Sequence, residues 1–238
     1  MKKIIFITVV CAFVTGTAMA DLGTITVKYN GMTYGEADYA YGGGLNNSYG
    51  YSGLLSFTPL SGTGMGNNWL STNPLYAFCI ELPQSISGGG TYTYSVLDLA
   101  DAPLPAVPAS GVPMGSAKAD YIRELWAEHY ADVVNNVTAA AFQLAIWEIV
   151  YENSGTWDVT AWDGTQDSFK VTGYLSGVDT LANSWLAGVA DVGGSMANLY
   201  ALSSNSYQDI IVEVPVPAAF ILGMLGLSAA GIKLRKYA

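Results

Sequence analysis

Residues 138–152 read TAAAFQLAIWEIVYE, and whether they form a helix decides the fold class. They follow AKADYIRELWAEHYADVV (117–134), where Tyr121, Ile122, Leu125, Trp126, Tyr130 and Val133 recur at helical spacing. Arg123, Glu124, Glu128 and Asp132 fall among the more exposed positions of that first helix. The second stretch continues the pattern, with Thr138 placed as its N-cap. At about 100° per residue, Glu148 lies about 140° from Gln143, and Glu152 lies opposite it. The two glutamates then mark a wet face. Gln143 sits at the centre of the dry one, beside Ala139, Ile146, Trp147 and Val150.

Upstream the pattern is different. To about Gly66 the chain is rich in Gly, Tyr, Asn and Thr. TITVKYNGMTYG (24–35) alternates Ile25, Val27 and Tyr29 on one face and reaches Asn30-Gly31, a hairpin signal. YSGLLSFTPLSG (51–62) and TYTYSVLDL (91–99) read as further strands, and the glycine runs 42–44 and 88–90 as loops. APLPAVPASGVP (102–113) is a proline-rich connector. Beyond the central helices come the short segments GTWDVT and SFKVTGYL, a helix over VDTLANSWLAGVA and a strand over QDIIVEV. Segregated strands and helices predict an α+β fold.

The ends carry addresses. MKKIIFITVVCAFVTGTAMA reads as a secretory signal peptide over 1–20, cleaved after Ala18-Met19-Ala20. Val214-Pro215-Val216-Pro217 opens an uncharged stretch reaching Ile232, 19 residues in all. That is close to the ~20 that span a bilayer. Lys233, Arg235 and Lys236 follow, placing the tail in the cytoplasm and everything upstream outside. Between them lies one exported unit, residues 21–213. It holds four Lys or Arg against 19 Asp or Glu, a net charge of −15, which excludes nucleic-acid binding.

Cleavage of the signal removes Cys11 and leaves Cys79, in YAFCIELPQS (76–85), as an unpaired thiol in an exported chain. A strand over 75–82 puts Tyr76, Phe78, Ile80 and Leu82 on one face, and Ala77, Cys79 and Glu81 on the other. A buried amide without partners costs about 1–3 kcal/mol, so Gln143 must be satisfied by backbone or consumed by chemistry. Attack of the Cys79 sulfur on the Gln143 side-chain carbonyl, releasing ammonia, would leave an intramolecular thioester. Phe78, Trp126 and Trp147 are the bulky residues available to keep water off it.

YAFCIEL and AAFQLAIWEIVYE resemble the paired motifs of bacterial Cys-Gln thioester domains, and the resemblance spans roughly residues 50–190, including Leu125-Trp126. It implies a mostly-β, sandwich- or barrel-like body with a small helical subdomain. It also implies a thioester cross-link between Cys79 and Gln143, and a surface adhesin whose thioester is opened by an amine on a partner, typically a lysine. Such capture is stoichiometric, not enzymatic, and uses no cofactor or metal. The C-terminal segment 214–238 resembles the PEP-CTERM sorting signal in its Val-Pro-x-Pro-Ala variety, with Val216 where the eponymous motif has Glu. That implies an exosortase-type processing partner, initial anchoring in the inner membrane and display at the cell surface. The lysines of the exported unit, Lys28, Lys118 and Lys170, are few, as an amine-reactive protein or any acidic one would have them.

Other classes compete. A cysteine hydrolase would need a base, and His129 is the sole histidine. Asp158, Asp163 and Asp167 cluster without the spacing of a calcium loop. A passive matrix or glycan-binding protein would use the tyrosines and tryptophans for stacking, with Cys79 a free thiol or an intermolecular disulfide. For deprotonating an incoming lysine, Glu81 and His129 are the candidates at this level.

Overall fold

The computed structural model describes residues 21–42, 45–104, 112–153, 156–162, 164, 169–189 and 193–215. The leader, the apolar C-terminal stretch, Val216, Pro217, Asp163 and Asp167 lie outside them. No helix of the described residues is long and apolar enough to cross a membrane.

The alternation that starts at Ile25 runs on through Asn30-Gly31. β1 spans Thr24–Gly42 and pairs along its length with β2, Leu45–Gly62. Asn30-Gly31 is therefore not a turn. It is where the register skips between Tyr29 and Gly31, with Gly31 at a positive φ of 115° and the Asn30 amide donating to the Thr58 hydroxyl. A long partner strand outcompeted the local turn preference, and the extra residue became a bulge.

β3 (Leu75–Cys79), β4 (Thr91–Asp98), β5 (Phe169–Thr172), β6 (Leu199–Ser203) and β7 (Ile210–Glu213) complete an antiparallel sheet in the order β2-β3-β7-β6-β4-β1-β5. Because β1 also pairs with β2, six of these strands close on themselves and β5 hangs on the outer part of β1. β6 was not anticipated; its short run LYALS gives little periodicity to read.

Residues directly opposite one another in antiparallel strands share a face. The pairs Val96–Leu202, Leu202–Ile210 and Ile210–Cys79 therefore carry one face around the ring to the thiol. The other face runs through Leu97, Ala201, Ile211 and Phe78. Phe78 meets the helices, in contact with Trp126 of α1 (Ser116–His129) and Phe142 of α2 (Asn136–Tyr151). Phe142 in turn touches Trp185 of α3 (Val178–Val189). The α+β assignment holds, with strands dominant.

Two details of α2 differ from expectation. Its N-cap is Asn135, whose side chain accepts from the Thr138 amide while the Thr138 hydroxyl accepts from the Asn135 amide, a capping box. It also has no wet face: every residue from Ala139 to Tyr151 is buried, Glu148 included, and so is the C-cap residue Glu152. Those carboxylates bind the amides of a covering segment, Glu148 accepting from Asp158 N at 2.8 Å and Glu152 from Phe169 N at 3.1 Å. Burial raises the Glu148 pKa to about 8. Glu124 of α1 is likewise buried, accepting from Gly194 N.

Candidate functional site

β3 ends where its neighbour leaves it. On one side β2 pairs with it through Phe57–Leu75 to Leu55–Ala77. On the other, β7 continues alongside Phe78 and Cys79, and the Ile80 amide still donates to Asp209 O. The Cys79 amide and carbonyl, on the side that β2 has left, need partners. Gln143 supplies both. Its Oε1 accepts from Cys79 N at 2.8 Å, and its Nε2 donates to Cys79 O at 2.8 Å.

The side-chain amide thus stands in for the missing peptide of β2 and is satisfied by the backbone of the cysteine itself. Gln143 is fully buried and Cys79 is 3 % exposed, which closes the thiol to a cysteine of another chain. The two accounts of the buried glutamine, backbone satisfaction and approach to the cysteine, are one contact here. Its geometry fixes the Gln143 carbonyl carbon beside Cys79, with the Cys79 N–H already polarising the carbonyl.

The surroundings differ on the two sides of β3. Phe78, Trp126, Tyr130 and Phe142 form an aromatic cluster, with Phe78–Trp126 centroids at 5.7 Å and Trp126 stacked on Tyr130 at 4.6 Å. Trp147, one turn beyond Gln143, is fully buried with its indole N–H unpartnered. Of the three expected shielding residues, Phe78 and Trp126 therefore cover the face away from the thiol.

The thiol side borders a cavity of about 430 Å³ lined by Tyr29, Tyr51, Leu55, Leu82, Gln84 and Gln208 among others. Burial, then the Glu81 and Asp38 carboxylates, push the Cys79 thiol far above its ordinary pKa. The sulfur is held as a neutral thiol at physiological pH. Burial, then Asp209, raises the Glu81 pKa to about 7, while the Glu81 carboxylate accepts from Asp209 N.

Two polar atoms on this side, Gln84 Oε1 and the Tyr94 hydroxyl, have no hydrogen-bond partner, and Asp38 is fully buried near Gly50, held by Ser52. Sequence reasoning missed them. Asp38 sits in YGEADYAYG, where alternation places it on the face of Ala40, yet no local signal says that this face is buried.

Other expected participants lie elsewhere. His129 stacks on Trp185 at 5.1 Å, between α1 and α3, with Glu128 and Asp132 nearby. Asp158 accepts from Thr160 and Asn183 as an ordinary loop acceptor, and no group of metal-binding side chains occurs among the described residues. Lys118 donates to the carbonyls of Val150 and Glu152, and burial lowers its pKa to about 8. Lys170 lies over the rings of Tyr41 and Trp162. Val214 and Pro215 follow β7 and border a groove beside Trp126 and Tyr130. No known protein family, curated protein or solved structure matches the chain at a significant level.

Proposed function

We propose that the protein forms an internal thioester between Cys79 and Gln143 and uses it to attach itself covalently to an amine on a partner. The observation that carries this is the pair of 2.8 Å hydrogen bonds holding the Gln143 amide against the Cys79 backbone. Rigid elements hold both groups, as near-attack positioning requires. In bond formation the Cys79 sulfur attacks the Gln143 carbonyl carbon and the Cys79 N–H stabilises the developing oxyanion. The thiol proton passes to Nε2, which leaves as ammonia, so the neutral, buried thiol needs no separate base. A partner amine then attacks the same carbon, the C–S bond breaks, and an isopeptide link to residue 143 remains with a free Cys79 thiol. Each molecule reacts once.

In this account residues 1–20 direct export, and the segment 214–238 anchors the chain in the inner membrane until an exosortase-type enzyme acts on it. The protein then works at the cell surface, in adhesion or matrix attachment. The acidic surface repels anionic polymers and suits an amine-bearing, cationic partner. Treating the purified protein with methylamine and mapping its peptides tests this: methylamide at residue 143 and a newly titratable Cys79 are expected, and Gln143→Ala should incorporate none. Unmodified Gln143 in the wild type, with no methylamine taken up, would contradict it.

A second reading rests on the exposed tyrosines at the outer end of the β1–β2 hairpin. Tyr49 and Tyr51 are each 57 % exposed, in edge contact and joined through their hydroxyls at 2.9 Å. A passive glycan binder would use such rings for stacking. It would keep binding after Gln143→Ala, which separates the two.

A further inference from the structure

We propose that the cavity beside Cys79 is the path by which the partner's amine enters, and that Tyr49 and Tyr51 at its mouth select a cationic one, an ammonium on an alkyl stem. The selection is a property of the cavity itself; its use in capture rests on the thioester reading.

The sheet register builds the path. Ala77 and Cys79 alternate onto one face of β3, and Leu55 of β2 stands opposite Ala77 on that face. Outward along β2 the same face carries Gly53, Tyr51 and Tyr49. Both tyrosines, Leu55 and Cys79 line the one cavity of about 430 Å³. Exposure falls along it: Tyr49 and Tyr51 are each 57 % exposed, Leu55 6 % and Cys79 3 %. The tyrosines are the mouth, and the thiol is the closed end.

Mouth and throat suit two different forms of an amine. Tyr49 and Tyr51 meet edge to face with centroids 5.4 Å apart and hydroxyls joined at 2.9 Å, so the pair is held as a unit. The face of such a ring attracts a cation. No lysine or arginine is among the described residues that line the cavity, whereas the Glu81 and Asp38 carboxylates both act on Cys79. A field of that sign draws an ammonium in and repels an acid. Deeper, Met32, Leu55 and Leu82 make an apolar throat. Removal from water there disfavours the charged form of an amine.

The proton balance follows from this gradient. The ammonium held at the mouth gives one proton to water and enters the throat as the neutral amine. Its nitrogen bonds to the residue-143 carbonyl carbon as the C–S bond breaks. The sulfur takes the second nitrogen proton and becomes the Cys79 thiol. Thioester plus ammonium thus gives amide, thiol and one released proton, with no other reactant. An amine on a flexible stem can make this passage while the partner that carries it stays outside.

The test uses full-length protein purified in detergent and has two readouts. The first is the rate of capture at residue 143, by peptide mapping, of butylamine, a cation at pH 7, and of methoxyamine, which is uncharged there. Tyr49→Leu/Tyr51→Leu keeps apolar bulk at two exposed positions but removes both ring faces. It should capture butylamine about 5- to 30-fold more slowly and methoxyamine at the wild-type rate. Tyr49→Phe/Tyr51→Phe keeps the rings and should keep the wild-type preference. The second readout needs no thioester. Butyltrimethylammonium, which cannot react, should bind Cys79→Ala protein by ligand-observed NMR, and should cease to bind when both tyrosines are also leucine.

An unchanged ratio of butylamine to methoxyamine capture in the leucine variant would overturn the inference and leave the proposed function standing. Equal slowing of both amines would overturn it too, because the rings would then only shape the mouth. Wild type without the thioester overturns the proposed function, and the binding of butyltrimethylammonium to Cys79→Ala still decides the cation site. Binding of an uncharged oligosaccharide at the two tyrosines, without the quaternary ammonium, would overturn the inference in favour of sugar stacking.

Discussion

The two faces of β3 are one residue apart in sequence and opposite in character. Phe78 looks onto Trp126, Tyr130 and Phe142, an apolar cluster with its ring contacts in place. Cys79 looks the other way, onto a cavity near which Gln84 and Tyr94 carry unpartnered polar atoms. Core faces normally satisfy their polar atoms. Phe78 is packed by rings whereas Cys79 borders open volume, an imperfect packing that costs stability and falls where chemistry is proposed. The packed side and the side proposed to react should therefore respond differently to substitution.

The largest expected loss is on the packed side. Phe78→Ala removes a fully buried ring and should destabilise by about 3–5 kcal/mol, read as a shift of the denaturation midpoint. A loss under about 1 kcal/mol would mean that the aromatic cluster does not hold the helices to the sheet.

Gln143→Ala comes next. It strands the Cys79 amide and carbonyl and should cost about 2–4 kcal/mol besides abolishing amine capture. Gln143→Glu keeps an acceptor for the Cys79 amide and should recover part of the stability.

For the buried carboxylates the sign reverses. Asp38, raised from 3.8 to about 6, is stabilised as the neutral acid by the fold, so its contribution is full below the unfolded pKa and lost as pH rises through 6. Asp38→Asn should accordingly stabilise the protein at pH 7 by about 1–3 kcal/mol. Glu81 at about 7 and Asp209 at about 6 act in the same direction. Wild type should be more stable near pH 4.5 than near pH 8, and the Asn variant less sensitive between pH 4 and 6. Greater stability at pH 8 than at pH 4.5 would show that these carboxylates are not buried as charges.

The smallest structural effect belongs to Cys79→Ala. It leaves both backbone bonds to Gln143 intact and should cost only about 1 kcal/mol, yet eliminate capture completely. A large loss of stability there would assign the sulfur a packing role that the cavity does not suggest.

How much of this was legible depends on whether the deciding forces were local. The change from strand to helical periodicity is a local property, and it placed α1, α2 and α3 correctly. The bulge at Asn30-Gly31 was not legible, because the competing partner, β2, starts 14 residues further on. Gln143 was located as buried by a geometric inference that was half wrong. Glu148 and Glu152 do not face water; they bind amides of a segment that folds over them, and no helical wheel contains that segment. The meeting of Cys79 and Gln143 followed from two chemical oddities and a motif resemblance. Asp38 stayed invisible because the burial of its face is decided by the whole fold.

The most direct measurement is the intact mass of freshly purified segment 21–213, before and after methylamine. A mass one ammonia below the calculated value, with methylamine then adding once and a thiol appearing, is the expected result. The full calculated mass, with a free Cys79 and no methylamine uptake by folded protein, would contradict the covalent account and leave the tyrosine-lined surface as the functional feature.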